Sequence, residues 1–183
     1  MPEELIIRNC SPTLAGLKTG SMFSCPYTCE NRLREEIRSL NRRLAPKGLR
    51  VLPLQRKNGR ALIYMFRPLE LERDLSDRAA ASLLRRRGYP EAGAGSCLCC
   101  LVRRFQQGGE FPHEVGLFLG YPPEDVCAFI DQQARGCKCV GCWKVYGDEE
   151  KAKKTFDLYK KCTRVYCDQW AKGRSIERLT VAG

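Results

Sequence analysis

Asn58-Gly59 lies between two apolar runs, residues 49–54 and 61–66, with Lys57 and Arg60 on its flanks. An Asn-Gly pair supplies the two consecutive left-handed residues that a tight hairpin turn needs. An antiparallel β-hairpin is therefore expected near residues 49–67, and its apolar residues must be covered by other elements. The neighbouring segments supply helices for that purpose. Leu33, Ile37, Leu40 and Leu44 recur at helical spacing between residues 30 and 44, and Pro46-Lys47-Gly48 stops the run. Leu71, Leu75, Ala79 and Leu83 predict a second helix, stopped by Gly88 with Arg85-Arg86-Arg87 in its last turn. Pro122-Pro123-Glu124-Asp125 reads as a further helix start. Asp148 opens the longest helix, whose core stripe is Ala152, Phe156, Tyr159, Thr163, Tyr166 and Trp170. Elsewhere the signals are shorter. Leu5-Ile6-Ile7 predicts a strand, and Ser11-Pro12 the start of a helix that Gly20 ends. Residues 97–105 suit a helix or a buried strand, 143–146 a strand, and 176–181 an edge strand. Such a mixture predicts an α+β or mixed α/β fold, with residues 1–183 forming a single domain of one hairpin and several packed helices.

A chain of 183 residues can bury a sizeable core unaided, so its 12 cysteines are not there to compensate for a small one. No stretch approaches 18 apolar residues, and the acidic Met1-Pro2-Glu3-Glu4 start lacks the pattern of a secretory leader. A cytoplasmic location follows as an expectation. In that reducing compartment, thiols are free, catalytic or metal-bound rather than structural disulfides. A single histidine excludes any site built from several histidines of this chain. Neither G-x-G-x-x-G nor G-x-x-x-x-G-K-[ST] occurs, so no nucleotide cofactor is indicated.

The densest chemistry-bearing segment is Cys137-Lys138-Cys139-Val140-Gly141-Cys142. Cys139 and Cys142 have the C-x-x-C spacing that lets two sulfurs reach one metal or form one disulfide, and Cys137 is a third candidate. Thiolates are soft ligands suited to zinc or an iron–sulfur unit. Cys25 and Cys29, just ahead of a helix, are candidates for the missing half of such a site. Cys10 stands apart. Read as lying between a strand and a helix start, it suits a nucleophile whose thiolate is stabilised by a helix N-terminus. His113 is the only imidazole available as its base, and Glu114 or a backbone carbonyl is the group to orient the ring.

The net charge of +11 is unevenly spread. Residues 30–60 hold ten basic and three acidic residues, residues 135–183 hold twelve and six, and residues 111–134 hold four acids with no Lys or Arg. Two basic segments should attract an acidic partner and speed its encounter. Arg34, Arg38 and Arg42 share one side of the first long helix. No nucleic-acid module accompanies them, which favours a protein over DNA or RNA. An acidic electron carrier of the flavodoxin or ferredoxin type fits that chemistry.

Residues 111–122, with the string Phe-Pro-His-Glu-Val-Gly-Leu-Phe-Leu-Gly-Tyr-Pro, and 141–146, Gly-Cys-Trp-Lys-Val-Tyr, are distinctive. With Cys10-Ser11-Pro12-Thr13-Leu14-Ala15-Gly16 and Lys161-Cys162-Thr163-Arg164-Val165-Tyr166, they make the chain resemble an uncharacterised domain-of-unknown-function family of small cytoplasmic proteins from anaerobic Firmicutes. The resemblance extends over nearly the whole chain. In that family a histidine often precedes the first of these cysteines; here the residue is Asn9. The resemblance implies no activity or substrate. From the residues, the expected function is binding of a soft metal or iron–sulfur unit, or thiol-linked redox chemistry. The alternatives are a Cys10–His113 thiol-dependent transferase or hydrolase, and a basic adaptor that binds an acidic protein or nucleic acid.

Overall fold

Asn58 and Gly59 take up positive φ angles of 51° and 70°, and the hairpin closes on them. The chain is described over residues 2–183 by a computed structural model. In order, it runs α1 (Glu3–Leu14), β1 (Gly20–Pro26), α2 (Glu30–Leu44), β2 (Arg50–Lys57), β3 (Arg60–Phe66), α3 (Pro68–Leu75), α4 (Arg78–Arg86), α5 (Gly93–Gln107), α6 (Val115–Phe118), α7 (Pro123–Asp131), β4 (Cys139–Val140), β5 (Lys144–Val145), α8 (Glu149–Ala171) and α9 (Ile176–Leu179). β3 is the centre of an antiparallel sheet with β1 on one side and β2 on the other.

Both faces of β3 are buried, and its alternation sorts the molecule into layers. Ala61, Ile63 and Met65 join Phe23, Cys25 and Val51 beneath α1, α2 and α9. Tyr64 and Phe66, whose rings stack at 4.8 Å, face the opposite way with Leu54 and meet helices α3 to α7. The long α8 lies along α1. A third, small cluster of Val145, Ala152 and Phe156 joins the β4–β5 hairpin to the start of α8. The result is one mixed α/β domain, as the element pattern predicts. No helix among the described residues is long and apolar enough to cross a membrane.

β2 is an edge strand, and its exposed side is closed by other means. The Asn41 side chain on α2 donates to the Val51 carbonyl at 2.7 Å and accepts from the Val51 N–H at 2.9 Å. Pro53 has no N–H to offer, and the register slips between Pro53 and Gln55.

Several local expectations need correcting. Leu5, Ile6 and Ile7 lie inside α1 rather than in a strand, and Pro12 sits in the last turn of that helix rather than at its start. The backbone carbonyl that Pro12 cannot serve belongs to the exposed Arg8, where water can replace it. Gly20 begins β1 instead of stopping a helix. The expected helix over residues 71–87 divides in two, because the Asp77 carboxylate caps α4 by accepting from the N–H groups of Ala79 and Ala80. Ala80 is buried in consequence, and Ala79 is exposed. The edge strand expected at residues 176–181 is the short helix α9.

Arg67, directly after β3, is 4% exposed. Its guanidinium donates to the carbonyls of Thr13, Leu14 and Val181, each at 2.8 Å, and so ties the end of α1 to the C-terminal segment. A second tie is Arg43 on α2, which pairs with Glu3 of α1 at 2.6 Å and with Glu177 of α9. The hydrogen bond from Arg43 holds the Glu177 carboxyl at about 2, below its ordinary value of roughly 4.3. A depressed carboxyl stabilises the fold above its unfolded pKa, and that contribution is lost as pH falls through the folded one. Because both partners are about a third exposed, solvent screening limits the pair to less than about 1 kcal/mol. Glu177→Gln is expected to lower stability by that amount at pH 7. The wild-type advantage should shrink below about pH 4 and vanish near pH 2, measured as paired urea midpoints across pH.

Candidate functional site

All 12 cysteines are free thiols, and the fold scatters them. Cys10 is fully buried in the middle of α1, beside Ile6, Ile7 and Leu14. Burial pushes its thiol up to about 12, against a smaller opposing pull from Lys18, so it is protonated at neutral pH. His113 belongs to the other side of the sheet, where it lines a cavity with Met22 and Val115. The fold does not bring Cys10 and His113 together. Glu114 is not free to orient the His113 ring either. Its carboxylate, 2% exposed, accepts from the Tyr89 hydroxyl at 2.9 Å and faces Arg104 at 3.4 Å.

The two halves of the expected metal site also part. Cys25 points into the core from β1, whereas Cys29 is exposed at the cap of α2. Cys139 packs against the small cluster around Phe156, Cys137 acts electrostatically on Tyr146, and Cys142 is exposed in the turn between β4 and β5. Among the described residues, no three His, Cys, Asp or Glu side chains converge as ligands of one metal ion.

Around Cys142, however, four segments meet. The Lys18 ammonium, from the loop between α1 and β1, lies 5.1 Å from the centre of the Tyr121 ring and 6.0 Å from that of Tyr159. Burial lowers the Lys18 pKa, and a thiolate at Cys142 would act in the opposite direction. Burial raises the Tyr121 phenol, and Cys142 raises it further. The Tyr159 phenol goes up to about 12 for the same two reasons, with Asp74 adding to them. Its hydroxyl donates to the Leu17 carbonyl at 3.2 Å. Cys142 is therefore an accessible sulfur close enough to one half-buried cation and two phenols for a charge on it to act on all three.

The surroundings of this cluster are aromatic and hollow. Tyr121 and Trp143 stack at 5.0 Å, and the Trp143 ring meets Phe156 edge-on at 4.6 Å. Gly141 lets the Phe156 ring lie on the turn, because a Cβ there would overlap that ring. Asp125, 3% exposed, locks the arrangement. It accepts from Trp143 Nε1 at 2.7 Å and from the N–H groups of Tyr146 and Gly147 at 2.7 and 2.8 Å. On one side of the Tyr121–Trp143 wall is an open cleft of about 480 Å³, lined by Arg73, Asp74, Lys151 and Tyr159 among others. On the other is a cavity of about 260 Å³ with Phe111, His113, Phe129 and Lys144 in its lining.

Sequence reasoning picks out Cys142 but passes over Lys18, and it assigns Tyr159 to a core stripe. The half of Tyr159 that packs fits the helical spacing; its phenol end, which reaches Leu17, does not register in a periodic pattern. The model of a family described as "Protein of unknown function (DUF3793)" matches residues 6–180. No curated protein and no solved structure matches the chain.

Proposed function

The chain thus belongs to the DUF3793 family, and from that premise we propose that it works through reversible thiol chemistry at Cys142, beside the cleft walled by Tyr121, Trp143 and Tyr159. The observation that carries the proposal is an exposed sulfur within electrostatic range of the Lys18 ammonium, which itself lies over the Tyr121 and Tyr159 rings. The thiolate is the nucleophilic form of cysteine, and the exposed Cys142 is open to a reaction partner. Cys10 is the other sulfur coupled to Lys18, but its burial and raised pKa leave it a poor second nucleophile. Exchange with a disulfide of a partner would join Cys142 to one partner sulfur and expel the other as a thiol, and an external thiol would then break that mixed disulfide and restore Cys142. The scatter of the remaining cysteines favours this reading over a soft-metal or iron–sulfur centre, and the separation of Cys10 from His113 favours it over a Cys–His enzyme.

The competition between thiols supplies the test. At pH 7, iodoacetamide is expected to modify Cys142 about five- to tenfold faster than the exposed Cys29 and Cys99. Lys18→Met should remove most of that advantage and leave the other two rates unchanged. Equal rates at the three sulfurs, followed by mass spectrometry of peptides, would exclude a special role for Cys142.

Charge supports an acidic protein as a second component of this proposal. Arg34, Arg38 and Arg42 are all exposed on α2 and form no ion pair among the described residues, unlike Arg32 and Arg43. A triple change to Glu is expected to abolish capture of acidic proteins from an extract at low salt. Retained capture, or steeply salt-dependent binding of random DNA or RNA by the unaltered chain, would count against a protein partner.

A further inference from the structure

The cavity on the far side of the Tyr121–Trp143 wall contains polar groups that the fold leaves uncommitted. We infer that it is a binding site for a small planar aromatic carboxylate of one or two fused rings. Five aromatic rings line it: Phe111, His113, Tyr121, Phe129 and Trp143. The His113 ring lies 5.1 Å from Phe129 and 5.5 Å from Phe111, and Trp143 closes the wall shared with the thiol cluster. Phe111 is 49% exposed, an apolar ring left at the surface beside the cavity it lines. Stacked or tilted rings at these separations accept another flat ring between them, whereas a bulky saturated group would have to spread them. The volume of about 260 Å³ lies just under the roughly 300–1,000 Å³ of ordinary ligand pockets, which selects a compact ligand.

Two groups would fix the polar end of that ligand. The His113 ring makes no hydrogen bond among the described residues. The Lys144 ammonium, 5.8 Å from the Phe129 ring centre, spends one N–H on the Ala134 carbonyl at 2.8 Å. Its other donors are uncommitted, and it forms no ion pair among the described residues. The only carboxylate in the lining, Asp125, already accepts from Trp143, Tyr146 and Gly147. A cation and an imidazole beside an aromatic slot recognise a ring that bears a carboxylate.

The site is tested with 2-naphthoate, naphthalene-2-carboxamide and decalin-2-carboxylate as probes. Binding is followed by Trp143 fluorescence in a Trp170→Phe background and checked by calorimetry. The expected result is one saturable site for 2-naphthoate, with the carboxamide and the saturated acid each bound about tenfold more weakly. Lys144→Met should abolish the preference for the acid over the amide, and His113→Leu should weaken both. Cys142→Ser should bind as the unaltered chain does, so a failure of the thiol proposal leaves this one standing. Absence of saturable 2-naphthoate binding at millimolar concentration would overturn it. So would equal binding of the flat and saturated acids, or an affinity for the acid unaffected by both Lys144→Met and His113→Leu.

Discussion

Arg67→Met should lower the folding free energy by about 2–4 kcal/mol, because it removes three guanidinium hydrogen bonds to carbonyls at a buried site. The methionine stem keeps most of the volume, so the loss reports the hydrogen bonds rather than a cavity. Two of the carbonyls retain one backbone donor each, Gly16 for Thr13 and Val181 for Leu14, which keeps the effect below the full cost of three orphaned groups. Val181 loses the donor that Arg67 provides. The guanidinium also lies at the C-terminal end of α1, where a positive charge complements the helix dipole. Burial lowers the Arg67 pKa, yet a guanidinium stays charged at any physiological pH. Arg67→Lys preserves the charge but cannot span three carbonyls from one nitrogen, so it should recover less than half of the loss. Urea unfolding gives the magnitude, and limited proteolysis should show residues 180–183 released first. A change within about 0.5 kcal/mol would mean that the three carbonyls find water instead.

The second large effect is expected at Asp125. Its two oxygens accept from three donors, one on a side chain and two on the backbone, and all come from the segment that carries Trp143. Asp125→Ala would leave these donors unpaired, at about 2–3 kcal/mol in total, or roughly 5–10 °C in melting temperature for a chain of this size. Asp125→Asn is the sharper experiment. An amide has one accepting oxygen, and its NH₂ would face either the indole N–H or the two backbone N–H groups. It should cost nearly as much as alanine despite its matching shape. Trp143 emission should shift to the red in both variants as the ring loosens from Tyr121, while far-ultraviolet circular dichroism stays native below the transition. A melting temperature within a degree of the unaltered chain for Asp125→Asn would contradict this role.

The elements legible in the sequence are those whose signals are local. α2 runs from Glu30 to Leu44, as its apolar spacing predicts, and the Asn58-Gly59 turn lies where its two residues require. α8 starts at its Asp148 cap, which accepts from the Lys151 N–H. Sequence and fold differ where a short signal has two physical meanings. Three apolar residues at Leu5 resemble a strand, but Ile6, Ile7, Cys10 and Leu14 form a helical stripe once Pro12 is placed in the last turn. The site was less legible still. Lys18, Tyr121, Cys142 and Tyr159 are separated by 17 or more residues at each step, and tertiary packing alone brings them together. Local spacing favoured Cys139 with Cys142, yet the hairpin turn sends one sulfur to the small core and the other to the surface.

The closure of β2 has a consequence for life in a crowded solution. A sheet of three strands could grow by recruiting a strand from another molecule, and its rim is where such growth begins. Here an arriving chain would have to evict the Asn41 amide from both of its bonds at Val51. It would then find no donor at Pro53 and a slipped register beyond it. Arg50, Arg56 and Lys57, all exposed, would repel an identical rim by charge alone. A single side chain, a ring without an N–H and three cations thus oppose growth of the sheet at this rim, and make β2 a poor template for a neighbour.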